Sequence, residues 1–557
     1  MQKKLMASFT PLRILVLAFL LLFSLSCNSF RTTTTTYEGE VETINMAVIW
    51  NGLSSVYPAS GTDNPVAAVV REKTGVNMNF TFYDGYENDN LTRIFAIGRN
   101  MPEVIMAPYW GGGDANSSTI RQAVEDGLLI PVDEYLDTVA PNLKDSWTVG
   151  VSENFQELEW TAEEFDGKKY LIPMQTPASE EDITNWGYTV YARKDILEDL
   201  EVDPDTIHTS NDLYELAKRI KAGNYKDING NNIIVASTFA NGWSYECYLN
   251  SFRTRNRFTN LNKNTDGSLD WISSSDMLEE EIRFMHKMIS EGLFDKTAFS
   301  HNQSTVIQKH ITGSVAMTAT IYGSLKQMLK NTLYVDHPEM QYIPMGPIYD
   351  ANGVAAMPDG YREKSGEYGF PVLMITRDCE NPEAVMRYLN YINSEEGKIL
   401  SYLGIEGEDW EYNDENKMVR TNEWNEAVAI NPNYGVERGT EYHYIGISQV
   451  PNRLINEVKN DGDEIYQKVI DMYPVHTVEG TYASAWDDEF GEIQYLRNIL
   501  EAMGYQTTIE SAYCANTVEQ ALAILENYRQ NLTRNGYLER YLIWLEDKIG
   551  DRTDILY

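Results

Sequence analysis

Residues 64–83 read NPVAAVVREKTGVNMNFTFY, a helix running straight into a strand. Asn64 has a side-chain oxygen suited to capping a helix, and Pro65 has the fixed φ that suits the first helical position. Gly75 ends the helix, because a left-handed residue is the common helix stop. The strand is 76–83. Upstream, INMAVIW (44–50) is a short apolar strand. Downstream come a helix near 90–98 and the strand EVIMA (103–107). Strand, helix, strand, helix, strand predicts a sheet with parallel neighbours covered by helices, an α/β fold. Further on, FDGKKYLIP (165–173) reads as a hairpin leading into strand, and 188–191 as strand. Leu213, Leu216 and Ile220 mark one face of a helix over 213–224. Asn381-Pro382 opens another, with Val385, Leu389 and Ile392 at core spacing. The last third reads as mostly helical, and no internal repeat is visible.

The chain has 557 residues, which predicts two or more lobes. Its formal charge is −38, from 83 acidic and 45 basic residues. That argues against nucleic acid as a partner and against adhesion to anionic lipid by charge alone. The acids are spread along the chain, as on a solubilised surface.

The N-terminus is a different kind of sequence. Lys3, Lys4 and Arg13 precede an apolar block at 14–25, too short for a bilayer core, which needs roughly 20 apolar residues. This pattern describes an export signal. Ser26 and Cys27 follow, and the block resembles a bacterial lipoprotein signal in which Cys27 is acylated, for example with palmitate. Ser24 and Leu25 depart from the usual residues before the cysteine, so an ordinary signal peptide is the alternative. The threonine-rich 31–40 reads as a flexible tether. The other cysteines, Cys247, Cys379 and Cys514, are odd in number and widely spaced, and they read as buried free thiols.

Two strand ends stand out. The first gives Trp50-Asn51-Gly52, and the third gives PYWGGGD (108–114). In such sheets ligands gather where loops leave the carboxyl ends of strands. Glycines let backbone approach a ligand, and aromatic rings offer a flat apolar face.

Eight segments in a fixed order carry a resemblance. They are MPEVIMAPYW, DGLLIPVDEYLD, FDGKKYLIPMQT, YARKDIL, ISEGLFDK, ITGSVAMT, NPEAVMRYLNYINSEEGK and GIEGEDWEY. Together they resemble the extracellular solute-binding proteins of ABC sugar importers, in the large lipoprotein branch that includes oligosaccharide binders. The resemblance covers nearly all of 41–485. It implies two α/β lobes joined by crossing strands, with a solute held in the cleft between them. It also implies no catalytic residues, a monomer at the extracytoplasmic face of the membrane, a carbohydrate ligand and a membrane permease as partner. Crossings are expected near 173–188, near 315–320 and after 370–376. Lobe one is then 41–178 plus 318–376, and lobe two 179–317 plus 377–557.

A sugar needs aromatic platforms for its C–H faces and paired polar groups for its hydroxyls. The family places aromatics at four recurring positions. Here these are Trp50 with Asn51; Tyr109 and Trp110; Trp243 and Tyr245 with Glu246; and Trp486 with Asp487. Trp186 and Tyr188 near the first crossing, and Tyr322 after the second, are further candidates. A core position is the competing reading for each, since Trp is highly buried on average. Trp160, Trp424 and Trp544 are read as structural. Arg253, Arg255 and Arg257 either line the cleft for an acidic ligand or form a solvated basic run.

DINGNN (227–232) sets Asp227, Asn229 and Asn231 at alternate positions around Gly230, like the opening of a calcium loop. Relatives in this branch often carry such a loop, closed by an acidic pair. Here Val235 and Ala236 stand where the pair would be, and Thr238 replaces the Glu of the twelfth position. Asn-Gly-Asn is also an ordinary turn. A calcium site and an ordinary turn are thus the two readings of this stretch, and no other cofactor is expected. A secreted glycan hydrolase and a binder of a non-sugar solute such as a peptide are the alternatives. No HExxH, GxSxG or GxxxxGK[ST] pattern occurs, and carboxyl pairs such as Asp487-Asp488 arise by chance among 83 acids.

Overall fold

The computed structural model describes residues 36–50, 63–109 apart from 84 and 86, 115–147, 160, 163–177 apart from 175, 187–253, 261–263, 269–271, 276–355 apart from 331, 361–363, 371–450 apart from 432–433 and 441–442, 464–478 apart from 474–475, and 496–549 apart from 497–498 and 501–502. Two sheets organise it. The first is built from β1 (Glu42–Ile49), β2 (Val76–Tyr83), β3 (Val104–Pro108) and β4 (Ile172–Pro173). The second is built from β5 (Tyr188–Arg193), β6 (Ile234–Thr238), β7 (Val315–Ile321) and β8 (Tyr342–Pro344). A late strand, β9 (Pro371–Ile375), returns to the first sheet. The orders are β2-β1-β3-β9-β4 and β8-β5-β7-β6.

Local chemistry accounts for these elements. The side chain of Asn64 accepts the Ala67 N–H at the start of helix Pro65–Thr74, and Gly75 closes it at φ 67. The helix hands the chain to β2, which lies parallel to β1 with Ile44 opposite Met78. β3 pairs parallel to the other side of β1, with Met46 opposite Val104. Every residue of β3 and of β9 is buried, as expected for strands covered on both faces. The helix read at 213–224 runs Ser210–Gly223, opened by a reciprocal capping box between Thr209 and Asp212. The hairpin read at 165–173 is instead a turn. Asp166 and Gly167 are both left-handed, and only Ile172–Pro173 pairs into a sheet.

Two separate hydrophobic cores follow from the sheets. The first gathers residues from Ile44 to Met174 and from Val372 to Ile445, and the second from Tyr188 to Ile348 and from Val469 to Leu525. Among the described residues the chain passes between cores three times: after Met174, after Ile348 and after Ile445. This corrects the expected lobe boundaries. The segment 318–348 belongs to the second lobe, and helix Pro382–Ile392 belongs to the first. The region 315–320 is not a crossing, because β7 is paired on both sides, antiparallel to β5 and parallel to β6. A buried apolar strand looks alike in sequence whether it ends a lobe or fills its centre. The first passage between the cores falls between Met174 and Tyr188. Thr176–Pro177 there pairs in parallel with Gln449–Val450 of the third crossing.

Among the described residues Cys247, Cys379 and Cys514 are reduced thiols, the first two buried and the third half-buried. Among the described residues no helix is long and apolar enough to cross a membrane.

Candidate ligand-binding site

Strand direction brings particular ends together. β1, β2 and β3 are parallel, so their carboxyl ends share one edge of the first sheet, at Trp50, Tyr83 and Tyr109. Pro173 reaches the same edge, through β9, whose Pro371 lies opposite Pro108. In the second sheet the carboxyl ends of β6 and β7 meet the amino end of β5, with Ile321 opposite Tyr188. The first crossing runs from Pro173 to Tyr188. It therefore links these two aromatic edges directly.

On the second lobe the edge is a cluster of rings. Trp243 is half-buried and meets Tyr188 edge-on, with centroids 5.4 Å apart and planes at 78°. It stands at the end of a tight turn, Ala240–Gly242, in which Asn241 (φ 53) and Gly242 (φ 80) are left-handed. Its carbonyl accepts hydrogen bonds from the Phe239 N–H, at 3.3 Å, and from the Thr238 hydroxyl. Ser244 follows at φ 72, and its buried hydroxyl has no hydrogen-bond partner among the described residues. Non-glycine residues held in this region carry strain and cluster at functional sites. Glu246, in the 3-10 helix Tyr245–Phe252 that follows, is half-buried.

Tyr322 starts helix Tyr322–Leu329, and its N–H donates to the Gly187 carbonyl at 3.2 Å. Gly187 has φ 75, and a Cβ there would come within 3.3 Å of the Tyr322 Cβ, so the first crossing enters the lobe through a position that suits glycine. The Tyr322 ring lies 6.1 Å from Tyr191 and stacks on Tyr466 at 6.2 Å. Tyr466 was not singled out in the sequence. It sits in a helix with ordinary apolar spacing, and only the return of the third crossing to the second lobe brings it to this edge.

Several expected positions are core. Tyr109 is 0% exposed in the first core. Tyr245 is 2% exposed, packed edge-on by Phe299 and Tyr513 with the Arg253 guanidinium over its ring. Burial, reinforced by the Glu246 charge, pushes its phenol up to about 12. Arg253 forms a bidentate pair with Glu281, both bonds 2.7 Å, deep in the second lobe. Tyr245 opens the 3-10 helix Tyr245–Phe252 and Arg253 caps its end, and both side chains are buried in the second lobe. Trp50 is half-buried against the first core at the expected edge. Asn51, Trp110, Trp186, Trp486, Asp487, Arg255, Arg257 and Cys27 lie outside the described residues. Trp424 is buried, as a structural residue should be.

The Asp227 turn is closed on itself. Asp227 Oδ1 accepts the N–H groups of Asn229 and Asn231 at 2.9 and 2.8 Å, and Oδ2 accepts Asn231 Nδ2 at 3.1 Å and the Ser314 hydroxyl at 3.0 Å. Burial raises its pKa, and these hydrogen bonds more than offset that, holding the carboxyl below its usual range. Among the described residues no three His, Cys, Asp or Glu side chains form a group able to hold a metal.

Residues 55–399, more than half of the chain, match the profile of the family described as bacterial extracellular solute-binding protein. A curated relative is the fructooligosaccharide ABC transporter substrate-binding protein FusA of Streptococcus pneumoniae serotype 4. It is 24% identical over 265 residues, 46% of this chain and 46% of the relative, so the match spans about half of that protein. Among solved structures, the alginate-binding protein AlgQ2 without calcium ion superposes with a TM-score of 0.58 at 17% identity, over 92% of this chain and 98% of that one. An EF-hand mutant of S. pneumoniae FusA in complex with fructo-nystose gives 0.57 at 16% identity, over 91% and 99%. The shared property is the fold, two α/β lobes joined by crossing strands.

Proposed function

Because the chain belongs to the bacterial extracellular solute-binding proteins, we propose that it is the binding component of an ABC importer that captures a carbohydrate between its lobes. The observation that carries this reading is the linkage of two aromatic sheet edges by the first crossing, which is itself paired to the third. The glycan ligands in the names of the relatives support the substrate class. Trp243 and Trp50, with Trp110, Trp186 and Trp486, supply stacking faces for sugar rings. Ser244, Glu246, Asn51 and Asp487 supply hydrogen bonds.

Capture works by closure. A solute that touches both lobes stabilises the closed arrangement over the open one by its differential contacts. The closed form then docks on a membrane permease. The protein acts as a monomer and carries out no chemistry on its solute. Acylated Cys27 and the 31–40 tether hold it at the extracytoplasmic face of the membrane.

The test is a thermal-shift screen of the chain from residue 27 onward against mono- and oligosaccharides. A ligand at a hundred times its Kd stabilises by about 2.7 kcal/mol, which is a readable shift. A hit with unchanged glycan by chromatography supports the receptor reading. Glycan turnover, or a shift with peptides alone, refutes it.

A further inference from the structure

We infer that the Lys226–Asn232 turn is a metal-free replacement for a calcium loop, in which the protein's own donors occupy the oxygens that a cation would collect. A calcium ion takes six to eight oxygens at about 2.3–2.6 Å, and bound loops of this type aim carboxylates and carbonyls at one point. This turn has the outline of such a loop. Asp227, Asn229 and Asn231 alternate, and Gly230 turns at φ 79.

Its one carboxylate and several of its carbonyls, however, are already hydrogen-bonded. A carboxylate offers about four lone-pair sites, and Asp227 fills four with two backbone N–H groups, the Asn231 amide and the Ser314 hydroxyl. The Lys226 carbonyl accepts from Arg193 Nη1 at 3.1 Å, and the same nitrogen reaches the Gly313 carbonyl at 2.6 Å. The Asn231 carbonyl accepts the Asp227 N–H at 3.0 Å, and the Asp227 carbonyl accepts the Gly230 N–H at 3.0 Å. Asn232 Oδ1 accepts the Lys226 ammonium. Two side-chain cations, buried Arg193 and exposed Lys226, thus serve this turn where a loop of this type would use a divalent ion.

The rest of the twelve-residue window adds no carboxylate. Val235 and Ala236 are buried in β6, and the Thr238 hydroxyl is bonded to carbonyls of Trp243 and Ala319. Asp195, which shares Arg193 with this turn, is committed to that arginine through bonds of 3.0 and 2.5 Å. A divalent ion would have to displace Ser314 and Asn231 and would gain one carboxylate. Arg193 is 2% exposed, and besides Asp195 it bonds the carbonyls of Lys226 and Gly313 in the two turns on either side. It is the residue that joins β5 to the loop, the joining role a metal would otherwise fill. This inference is independent of what the cleft binds.

The experiment uses the chain from residue 27 onward, stripped with EGTA. Thermal unfolding is followed in EGTA and in millimolar calcium chloride, with magnesium chloride as a control for general salt effects. The expected result is the same midpoint in all three, and no saturable heat on titrating calcium. Ser314→Ala is expected to lower the midpoint equally with and without calcium. A saturable calcium-specific rise that Asn229→Ala abolishes overturns the inference. Asn229 has an exposed side chain, so that variant keeps the fold. A rise that survives Asn229→Ala and Asp227→Asn arises at another site and upholds it.

Discussion

The Ser448 hydroxyl donates to the Pro173 carbonyl at 2.7 Å, tying the third crossing to the first where both leave the first lobe. The Ser448 N–H is held in turn by Asn393 Oδ1 at 2.7 Å. Nearby, Gln449–Val450 and Thr176–Pro177 are paired in parallel. The hinge is thus a hydrogen-bonded ribbon anchored by one buried serine. Replacing Ser448 by Ala leaves a buried carbonyl short of a donor, which costs about 1–3 kcal/mol. Urea unfolding should show that loss, and small-angle scattering should show a more variable separation of the lobes.

Trp243 and Tyr245 stand two residues apart and should behave oppositely. Trp243→Ala removes a half-buried ring at the lobe edge and is expected to weaken binding of a screened glycan about thirtyfold, or about 2 kcal/mol, with little change in unfolding midpoint. Tyr245→Ala opens a cavity among Phe299, Tyr513 and Arg253. It is expected to cost about 3–5 kcal/mol of stability. Isothermal titration and denaturant unfolding of both variants check the pair.

Arg253 and Glu281 are a structural pair with the Tyr513 hydroxyl also donating to Glu281. Arg253→Met strands a buried carboxylate and should destabilise by about 3–5 kcal/mol, whereas Arg253→Met with Glu281→Leu should recover most of it. Ligand affinity of the folded double variant should match the parent, because neither side chain reaches the sheet edge.

Each lobe also carries a buried neutral histidine. His310 donates from Nδ1 to the Val306 carbonyl at 2.8 Å, and its Nε2 faces the Thr318 hydroxyl at 3.0 Å. His443 meets the Tyr388 hydroxyl at 2.9 Å. Burial lowers both to about 4. The unfolded state, with ordinary imidazoles near 6.5, then binds more protons than the folded state below that pH. Stability is full above pH 6.5 and is lost as pH falls toward 4. At pH 5 the loss is about 2 kcal/mol per histidine. Chemical unfolding at pH 8, 6 and 5 should show this trend, and His310→Gln should flatten part of it.

The strand-helix-strand rhythm of 44–107 was legible because it is local. Asn64, Pro65 and Gly75 act on backbone within a few residues, and the strands they separate have no choice of neighbour once parallel pairing is set. The ordered segments determined the family, and the departure of the Asp227 turn from the calcium-loop pattern is legible in Val235, Ala236 and Thr238. What sequence could not decide was which side of a boundary a strand or ring occupies. Val315–Ile321 looked like a crossing and is the centre of a sheet. Tyr109 and Tyr245 looked like platforms and are core, while Tyr466, which carries no signal of its own in the sequence, stacks on Tyr322 at the lobe edge. Each of these depends on pairing across more than a hundred residues, as between Thr320 and Thr189 or between Tyr322 and Tyr466. Such contacts are fixed by the burial of whole faces rather than by nearest neighbours, so only the tertiary structure determines them.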